Sequence, residues 1–414
     1  MGTLYIDTGG ATTNSGSSDN NAADLSGAAA TADTTTITLD GSPDLSGVST
    51  SGATQATIAL AQATNSNQKI FWITAVDNAL KTVTVSVAPT GITSSAWTIG
   101  GRMVHTPANY QGGMRAGDEA IYNNSPAFRT SSFITSLVAG TGAAGYVKHR
   151  GKTGTRPVFN VTNTASVLTG SGGQALQWWE NFELDQDGAS GAAINGLGPG
   201  GIIYNVKISD AGGVGYSMSD TGTSFIAGEI TGTGSNGISG SLLCAIVGNY
   251  LHDLTGDGLL LSGNGQSCIV TKNILDSCSD RAINLSGAPT TYSHLAFFDG
   301  NTSYGCGNSG FEVADQDCHA ILINSIFSEN GNAAGEYNVE WVAGAAEYAS
   351  FHGWNVFYHS GGGGGANLSG LTVNAQVASS EFTTDPAFTD AAGGDFAISS
   401  TSPAKAAGFP GQFL

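Results

Sequence analysis

Apolar and polar residues alternate most clearly over Lys69–Val76 and Lys81–Val87, on either side of Asp77-Asn78-Ala79-Leu80. This period of two around an Asp-Asn turn predicts a β-hairpin. Upstream, Ala11–Asp33 scatters its apolar residues among Ser, Thr, Ala, Gly and Asn, which reads as loops and short strands, and Thr98-Ile99-Gly100-Gly101 reads as the close of the module. From about Pro157 onward a different pattern takes over. An Asn, two or three residues, an apolar residue, a Gly-rich turn and a second apolar residue recur from Asn181, Asn205, Gly228, Asn249, Asn273, Asn301, Asn324 and Asn355, at steps of 24, 23, 21, 24, 28, 23 and 31 residues. Alignment puts Ile230, Leu251, Leu275 and Ile326 in one column, with Ser303 departing from it. Gly237, Gly258, Ala282, Gly310 and Ala333 form a second column, and Ile238, Leu259, Ile283, Phe311 and Ala334 a third. The copies at Asn181 and Asn205 fit with a shift of one residue, through Leu184 and Ile208.

A repeat of this length without a helical stripe leaves few architectures. Leucine-rich repeats need a strict Leu frame, and propeller blades need about 40 residues. Two or three short strands per copy, separated by tight turns, predict coils of a parallel β-solenoid in which like residues lie over like. With strands about 4.8 Å apart, residues 157–384 correspond to about nine or ten coils. The predicted organisation is an N-terminal β-rich attachment module at 1–101, a connecting or cap segment at 102–156, the solenoid at 157–384 and a closing segment at 385–414.

Composition agrees with strands and turns. Of the 414 residues 61 are Gly, and only 11% are charged, which disfavours a helix-rich fold because each interior Gly costs a helix about 0.8–1.0 kcal/mol relative to Ala. With 13 cations against 32 acids the formal charge is −19. This argues against nucleic acid or an anionic membrane as a partner. No run of 18 apolar residues occurs, and the start Met1-Gly-Thr-Leu-Tyr lacks a secretory pattern, so the expectation is synthesis in a cytoplasm without membrane insertion. Seven cations, Arg102, Arg115, Arg129, Lys148, Arg150, Lys152 and Arg156, concentrate in the connecting segment.

The five cysteines test the repeat register. Cys244 and Cys268 each precede a motif start by five residues, and Cys278 and Cys306 each follow one by five, so each pair is expected to stack in adjacent coils. Stacking would permit a disulfide, but buried thiols are the expectation. Cys318-His319 lacks a second ligand pair, so no zinc site is expected.

These repeats resemble the right-handed parallel β-helix family, which includes pectate lyase-like enzymes and many bacteriophage spikes and fibres. Asp385-Pro386-Ala387-Phe388, Gly394-Asp395-Phe396-Ala397-Ile398 and Ser402-Pro403-Ala404-Lys405-Ala406-Ala407-Gly408 resemble the segment that closes such helices, departing from its usual form at Lys405 and Ala406. The Ser/Thr/Ala/Gly-rich start and the hairpin resemble attachment modules of tailed-phage virion proteins. The resemblance implies an all-β right-handed parallel β-helix and says little about activity. Polygalacturonase-like signatures, an Asn-Thr-Asp start, paired Asp-Asp, Gly-His-Gly and Arg-Ile-Lys, are absent from the solenoid sequence.

Candidate chemistry is sparse. Asp253 and Asp257 fall in one coil and Asp276, Asp280 and Arg281 in the next, with Arg281 in the column of Asp257. Asp257, Asp280 and Arg281 are the candidate catalytic residues, supported by Asp253; the competing reading is an Arg bridging coil-edge acids. Glu312, Asp315 and Asp317 beside His319 read as solvated turn residues, since no Ca²⁺-loop frame is present. Trp178 and Trp179, followed by Glu180, Glu183, Asp185 and Asp187, are candidate sugar-binding residues, as are Trp354 and Tyr358 among the late aromatics Tyr337, Trp341 and Tyr348. Such aromatics equally suit packing or a subunit interface. Gly361–Gly365 is a flexible loop rather than a phosphate cradle.

The expectation is therefore a non-catalytic structural component of a tailed-phage virion, a surface spike, fibre or capsid decoration, attached to other virion proteins through residues 1–156 and self-associating. No cofactor or metal is implied. The alternatives are a tailspike-like polysaccharide depolymerase, hydrolase or lyase, and an adhesin for a host surface glycan.

Overall fold

The computed structural model describes residues 3–11, 17–18, 23–52, 54–61, 63, 70–100, 114–123, 128–130, 134–135, 140–161, 166–169, 175–188, 190–240, 243–262, 267–286, 294–314, 318–331, 336–341, 351–360, 366–369 and 382–406. Among them strands dominate, and no helix is long and apolar enough to cross a membrane. They fall into two compact units, the first holding most residues up to Glu183 and the second most of those from Leu184.

In the first unit, Leu25–Asp33, Thr36–Thr38, Thr57–Leu60, Ile70–Asp77, Thr82–Val85 and Ser95–Ile99 close into an antiparallel barrel. Its core is Ile37, Ile58, Phe71, Ile73, Val83 and Trp97. The expected hairpin is present. Asp77 Oδ1 accepts from the amides of Ala79 and Leu80, and Lys81 turns the chain at φ 55°. The barrel interrupts a parallel sheet, because Thr3–Ala11 pairs with Glu119–Tyr122, which pairs with Val147–Gly151, itself paired with Gln177–Glu180. Parallel stacking therefore begins upstream of residue 157, within the stretch read as a connection. The signal was hidden because the inward positions His149 and Gln177 are polar, though both are fully buried. Several cations of this stretch are paired within the chain: Arg150 with Glu119 at 2.9 Å, and Arg115 with Asp118 at 3.1 Å while lying over the Trp72 ring. Arg102 lies outside the described residues, as does the side chain of Arg129.

The second unit is a parallel β-solenoid with three faces. The first face stacks Ile202–Tyr204, Thr223–Ile226, Cys244–Val247, Cys268–Thr271, His294–Asp299, Cys318–Ile323 and Phe351–Gly353. The second runs from Ile194–Asn195 through Tyr216–Met218, Ile238–Gly240, Leu259–Leu261, Ile283–Leu285 and Phe311–Val313 to Tyr337–Trp341. The third stacks Lys207–Ser209, Glu229–Thr231, Tyr250–Leu254, Ile274–Cys278, Thr302–Tyr304, Ile326–Ser328 and Val356–Tyr358.

The register follows the repeat with two corrections. Ile208, Ile230, Leu251 and Leu275 stack as expected, while Ser303 continues the column despite its polar side chain and Phe327, not Ile326, lies over it. Ile238, Leu259, Ile283 and Phe311 stack as expected, and Val339 continues the column in place of Ala334. Ala333 and Ala334 lie outside the described residues.

The first correction has a chemical cause in a buried ladder. Asn249 Nδ2 donates to Asn273 Oδ1 and Asn273 Nδ2 to Asn301 Oδ1, each near 3 Å, and each Asn also donates to a carbonyl of the preceding coil. The next rung is Ser325, whose hydroxyl accepts from the Asn301 amide, and Asn355 follows it. Asn324 instead sits one residue earlier, at φ 52°, in a column of left-handed turn residues with Asn205, Ala227, Gly248, Lys272, Gly300 and Trp354.

Both cysteine pairs stack. Cys244 and Cys268 are register partners with sulfurs 3.0 Å apart, Cys278 lies against Cys306, and all are buried thiols. The C-terminal hairpin, Phe388–Asp390 with Asp395–Ile398, leads to a single helical turn at Pro403–Ala406. It packs along the third face, with Phe396 against Tyr250 and Tyr304, and Ile398 and Ala404 against Ile326 and Val356.

Asn273→Ala strips two donors of Asn249 and one carbonyl of their partners, so it is expected to lower stability by about 3 kcal/mol. Asn324→Gly keeps the left-handed turn and is expected to cost less than about 1 kcal/mol. Urea unfolding of the two variants checks the assignment of the ladder, which equal losses would contradict.

Candidate functional site

Alternation on the third face turns every second residue outward, and stacking sets these residues side by side in two columns. One column holds Glu229, Tyr250 and Ile274; the other holds Thr231, His252, Asp276 and Tyr304. Five titratable side chains from successive coils thereby converge with Lys207. Lys207 Nζ lies 3.0 Å from Glu229 Oε1, and His252 Nε2 lies 3.3 Å from the same oxygen. His252 Nδ1 lies 2.8 Å from Asp253 Oδ2, and the Tyr250 hydroxyl donates to Asp276 Oδ2 at 3.3 Å. The Tyr250 and His252 rings stack with centroids 4.2 Å apart.

The two half-buried acids of this group are driven in opposite directions. Partial burial would raise the Glu229 carboxyl, but hydrogen bonds and charge from Lys207 and His252 outweigh it and hold the group below its ordinary range. Burial raises Asp276, and the neighbouring Asp253 charge adds to the rise, against hydrogen bonds from Ser277 and Tyr250. Burial and the surrounding acids also push Tyr250 up. One face thus presents a carboxylate held ionised and a carboxyl that keeps its proton to higher pH, the arrangement that separates a base from an acid. Beside it opens a groove of about 420 Å³ lined by Asp187, Asp210, Gly232, Thr233, Asp253 and Thr255. Asp187, Asp210, Gly232 and Asp253 form a second column of left-handed turns.

Of these residues the sequence reading held Asp253 as support, Asp276 as an acid of the next coil and Asp187 among the acids that follow Trp178 and Trp179. Tyr250, His252 and Glu229 were missed, although Tyr250-Leu251-His252 alternates about the column residue Leu251 and so placed both side chains outward.

The sequence-derived trio is brought together, in a different setting. Asp257 has a side chain only 6% exposed; its Oδ1 accepts from the Arg281 amide and faces the guanidinium at 3.5 Å, and its Oδ2 accepts from Asn284 at 3.0 Å. Arg281 also pairs with Asp280 at 3.2 Å and closely with Glu312. Burial raises Asp257, partly offset by Asn284 and Arg281. One guanidinium shared by three carboxylates is already committed, which leaves it little to offer a substrate. Glu312 is thus an ion-pair partner, while Asp315, Asp317 and the His319 side chain lie outside the described residues.

The aromatic candidates divide. Trp179 faces inward, 1% exposed, its ring stacked on His149 at 3.8 Å, so it is a core residue and not a sugar platform. Its strand alternates buried and half-buried positions, which leaves Trp178 facing outward, bonded to Glu180 and under the Lys148 ammonium. Tyr358 is half-buried and packs against the cluster of Ile326, Val356, Ile398 and Ala404. Trp354 is 43% exposed at a left-handed turn, against Phe351. Tyr348 and Gly361–Gly365 lie outside the described residues.

Similar solved structures include pectate lyase Pel9A, with TM-score 0.53 and 12% identity over 73% of this chain and 85% of that one. The chain has the parallel β-helix fold. An alginate lyase from Paenibacillus sp. str. FPU-7 matches with TM-score 0.44 and 15% identity over 63% of this chain and 93% of that one. The tailspike gp61 of Pseudomonas phage phi297 matches with TM-score 0.32 and 12% identity over 85% of this chain and 71% of that one. No protein-family model matches the sequence, and no curated protein matches it. Likeness at such identities concerns the fold.

The directions at Asp276 and Glu229 imply a pH signature. Because the folded chain holds the Asp276 proton more tightly than the unfolded chain, stability falls as pH rises from the ordinary aspartate range through the raised folded value. Glu229 acts oppositely, stabilising above the ordinary glutamate range and losing that contribution as pH falls through its lowered value. Asp276→Asn is therefore expected to gain stability over the parent progressively as pH rises from about 3 to 7. Urea midpoints across that range read it, and a pH-independent difference would contradict the assignment.

Proposed function

We propose that the chain is a tailspike-type β-helix that hydrolyses a surface polysaccharide on its third face, carried on a tailed-phage particle by residues 1–156. The observation that carries the catalytic part is the convergence, beside an open groove, of Glu229 bonded to Lys207 and His252 with a half-buried Asp276 bonded by Tyr250, their carboxyls shifted in opposite directions. Glycoside hydrolysis needs this division of labour: one carboxyl protonates the leaving oxygen while a carboxylate activates water or attacks the sugar. In the proposal Asp276 is the acid, hydrogen-bonded by Tyr250, and Glu229 the base. His252 and Lys207 hold Glu229 ionised. The groove side chains Asp187, Asp210 and Asp253 repel an anionic polymer, so the substrate class is a neutral or amino-sugar glycan. The same acidity disfavours a lyase acting on a uronate. The sequence trio Asp257, Asp280 and Arg281 is assigned to joining coils.

The virion part rests on the resemblance of the N-terminal residues to phage attachment modules and on the separate barrel at Leu25–Ile99. A second reading, a non-catalytic spike or decoration protein, is favoured by one observation: the C-terminal hairpin lays Phe396 against Tyr250 and Tyr304 on the same face.

The test is release of reducing ends from a panel of neutral bacterial surface polysaccharides by the full chain. Glu229→Gln and Asp276→Asn are each expected to lower the rate at least about 100-fold, the usual scale for a general acid or base. Asp257→Asn, if folded, is expected to leave it within a few-fold. Release of unsaturated ends would point to a lyase. No release from any glycan, with the chain bound to particles through residues 1–156, would favour the non-catalytic reading.

A further inference from the structure

The third face is open over its earlier coils and covered over its later ones. In the outward column that starts at Lys207, the residues Glu229, Tyr250 and Ile274 are half-buried, whereas their successors Thr302, Ile326 and Val356 are fully buried. In the neighbouring column Thr231, His252 and Asp276 are half-buried, and Ser328 is buried. The change falls one coil past Asp276. The C-terminal hairpin supplies the cover. Phe382 bridges Val356 at the last coil, and from there the chain runs back over the face toward earlier coils. Ile398 and Ala404 pack on Ile326 and Val356. Phe388 and Phe396 both pack on Tyr304, with ring centroids 5.9 and 5.7 Å away, and Phe396 also reaches the Tyr250 ring. The tip comes closest at Gly394, where a Cβ would lie 3.0 Å from the Tyr250 hydroxyl oxygen. That hydroxyl is the one that donates to Asp276.

The groove lies on the open side of this boundary. Its lining comes from the turns of four successive coils, at Asp187, Asp210, Gly232 and Asp253, so it runs along the solenoid axis, and its last lining residues are Asp253 and Thr255. A polymer lying in it arrives lengthwise at Asp276 and then meets Phe396 and Phe388 instead of open sheet. We infer that the C-terminal hairpin closes the acid end of the groove and makes the chain a cutter of glycan ends, removing short pieces of fixed length from one terminus. This inference rests on the hydrolase reading of Glu229 and Asp276. To cut an internal bond, the site must hold sugar residues on both sides of Asp276, and the hairpin occupies one of the two. Each cut adds one water across one glycosidic bond: Asp276 gives its proton to the leaving oxygen, Glu229 takes one from the attacking water, and one new reducing end appears. Phe396 acts by position alone. It packs on Tyr250 and Tyr304 and bounds the space left for the glycan.

The experiment follows solution viscosity and reducing ends together while the full chain acts on the panel of neutral bacterial surface polysaccharides, with product sizes read by size-exclusion chromatography. The parent is expected to release one short oligosaccharide from the earliest time points, while viscosity falls only in step with the mass removed. Phe396→Ala takes away the ring that packs on Tyr250 and Tyr304 and leaves Ile398 and Ala404 to hold the hairpin. It is expected to admit internal bonds and to raise the viscosity lost per reducing end several-fold, a ratio that a general loss of stability does not move. Circular dichroism and melting report whether this variant folds, and the product pattern of the parent decides the matter if it does not. Early viscosity loss with a spread of product sizes from the parent overturns cutting at chain ends and leaves the hydrolase reading standing. A folded Phe396→Ala that keeps the parent ratio overturns the part given to the hairpin. No sugar released from any glycan overturns the hydrolase reading, and this inference falls with it.

Discussion

Everything in the solenoid depends on one constraint: each coil must repeat the backbone of its neighbour at the spacing of a hydrogen-bonded parallel strand, about 4.8 Å. A residue is therefore judged against the residues directly above and below it. Inward positions are filled by stacks such as Ile230, Leu251 and Leu275, which bury apolar surface without gaps. At corners the chain must turn through left-handed φ in coil after coil, and Asn, Asp, Gly and an occasional Lys or Ala fill these columns. Backbone approach is close at the second-face entry. A Cβ on Gly258 would lie 2.6 Å from the Ala282 carbonyl oxygen, so this position tolerates no larger side chain without moving the next coil. The asparagine ladder solves the remaining problem, since polar backbone at a buried corner must find partners. One side chain accepts from the amide and side chain of the coil before while donating to a carbonyl further back.

The same constraint generates the chemistry. Outward side chains of adjacent coils are neighbours whether or not their interaction is favourable. Where opposite charges stack, as in Lys207 over Glu229, the pair is satisfied within the sheet. Where acids crowd, as for Asp276 near Asp253, burial and then the neighbouring charge raise the more buried one above its ordinary range. A solenoid is thus a scaffold on which the pKa of a side chain is set mainly by the residues one coil away, about 21 to 28 positions distant in sequence.

That distance explains what could be read beforehand. Repetition made the solenoid, the hairpin and most of the register legible, and it placed both cysteine pairs. It failed where a chemically different residue fills a repeated role. Ser325 replaces an asparagine rung, so the copy was anchored on Asn324, one position early. The stretch from Asn330 to Asn338 hid Val339, which lies beyond the expected Ala334, although Asn338 bonds back to Asn330. His149 and Gln177 occupy inward positions without an apolar signature, which concealed the earlier coils. Trp179 was misjudged because neighbouring aromatics suggest a shared platform, whereas a strand sends consecutive residues to opposite sides. The Glu229–His252–Asp276 cluster forms no local motif, since its members lie in different coils and meet only through the repeat step.

The two ionisable clusters contain similar residues and differ in how far their charges are spent. Around Arg281 one cation meets Asp257, Asp280 and Glu312, and the amides of Asn284 and Asn308 take up further carboxylate oxygens. Ordering such a network fixes the turns between adjacent coils, and any substrate entering it would have to break bonds already made. On the third face Lys207 and His252 both serve Glu229, and Asp276 is left with only the Tyr250 and Ser277 hydroxyls as neutral partners. Burial and its acidic neighbour raise its carboxyl, and among the described residues no cation is bonded to it. Burial raises Asp257 as it raises Asp276, so the contrast lies in the guanidinium that Asp257 faces and Asp276 does not. The difference between a staple and a site therefore lies in the partners each acid already has, more than in which residues are present.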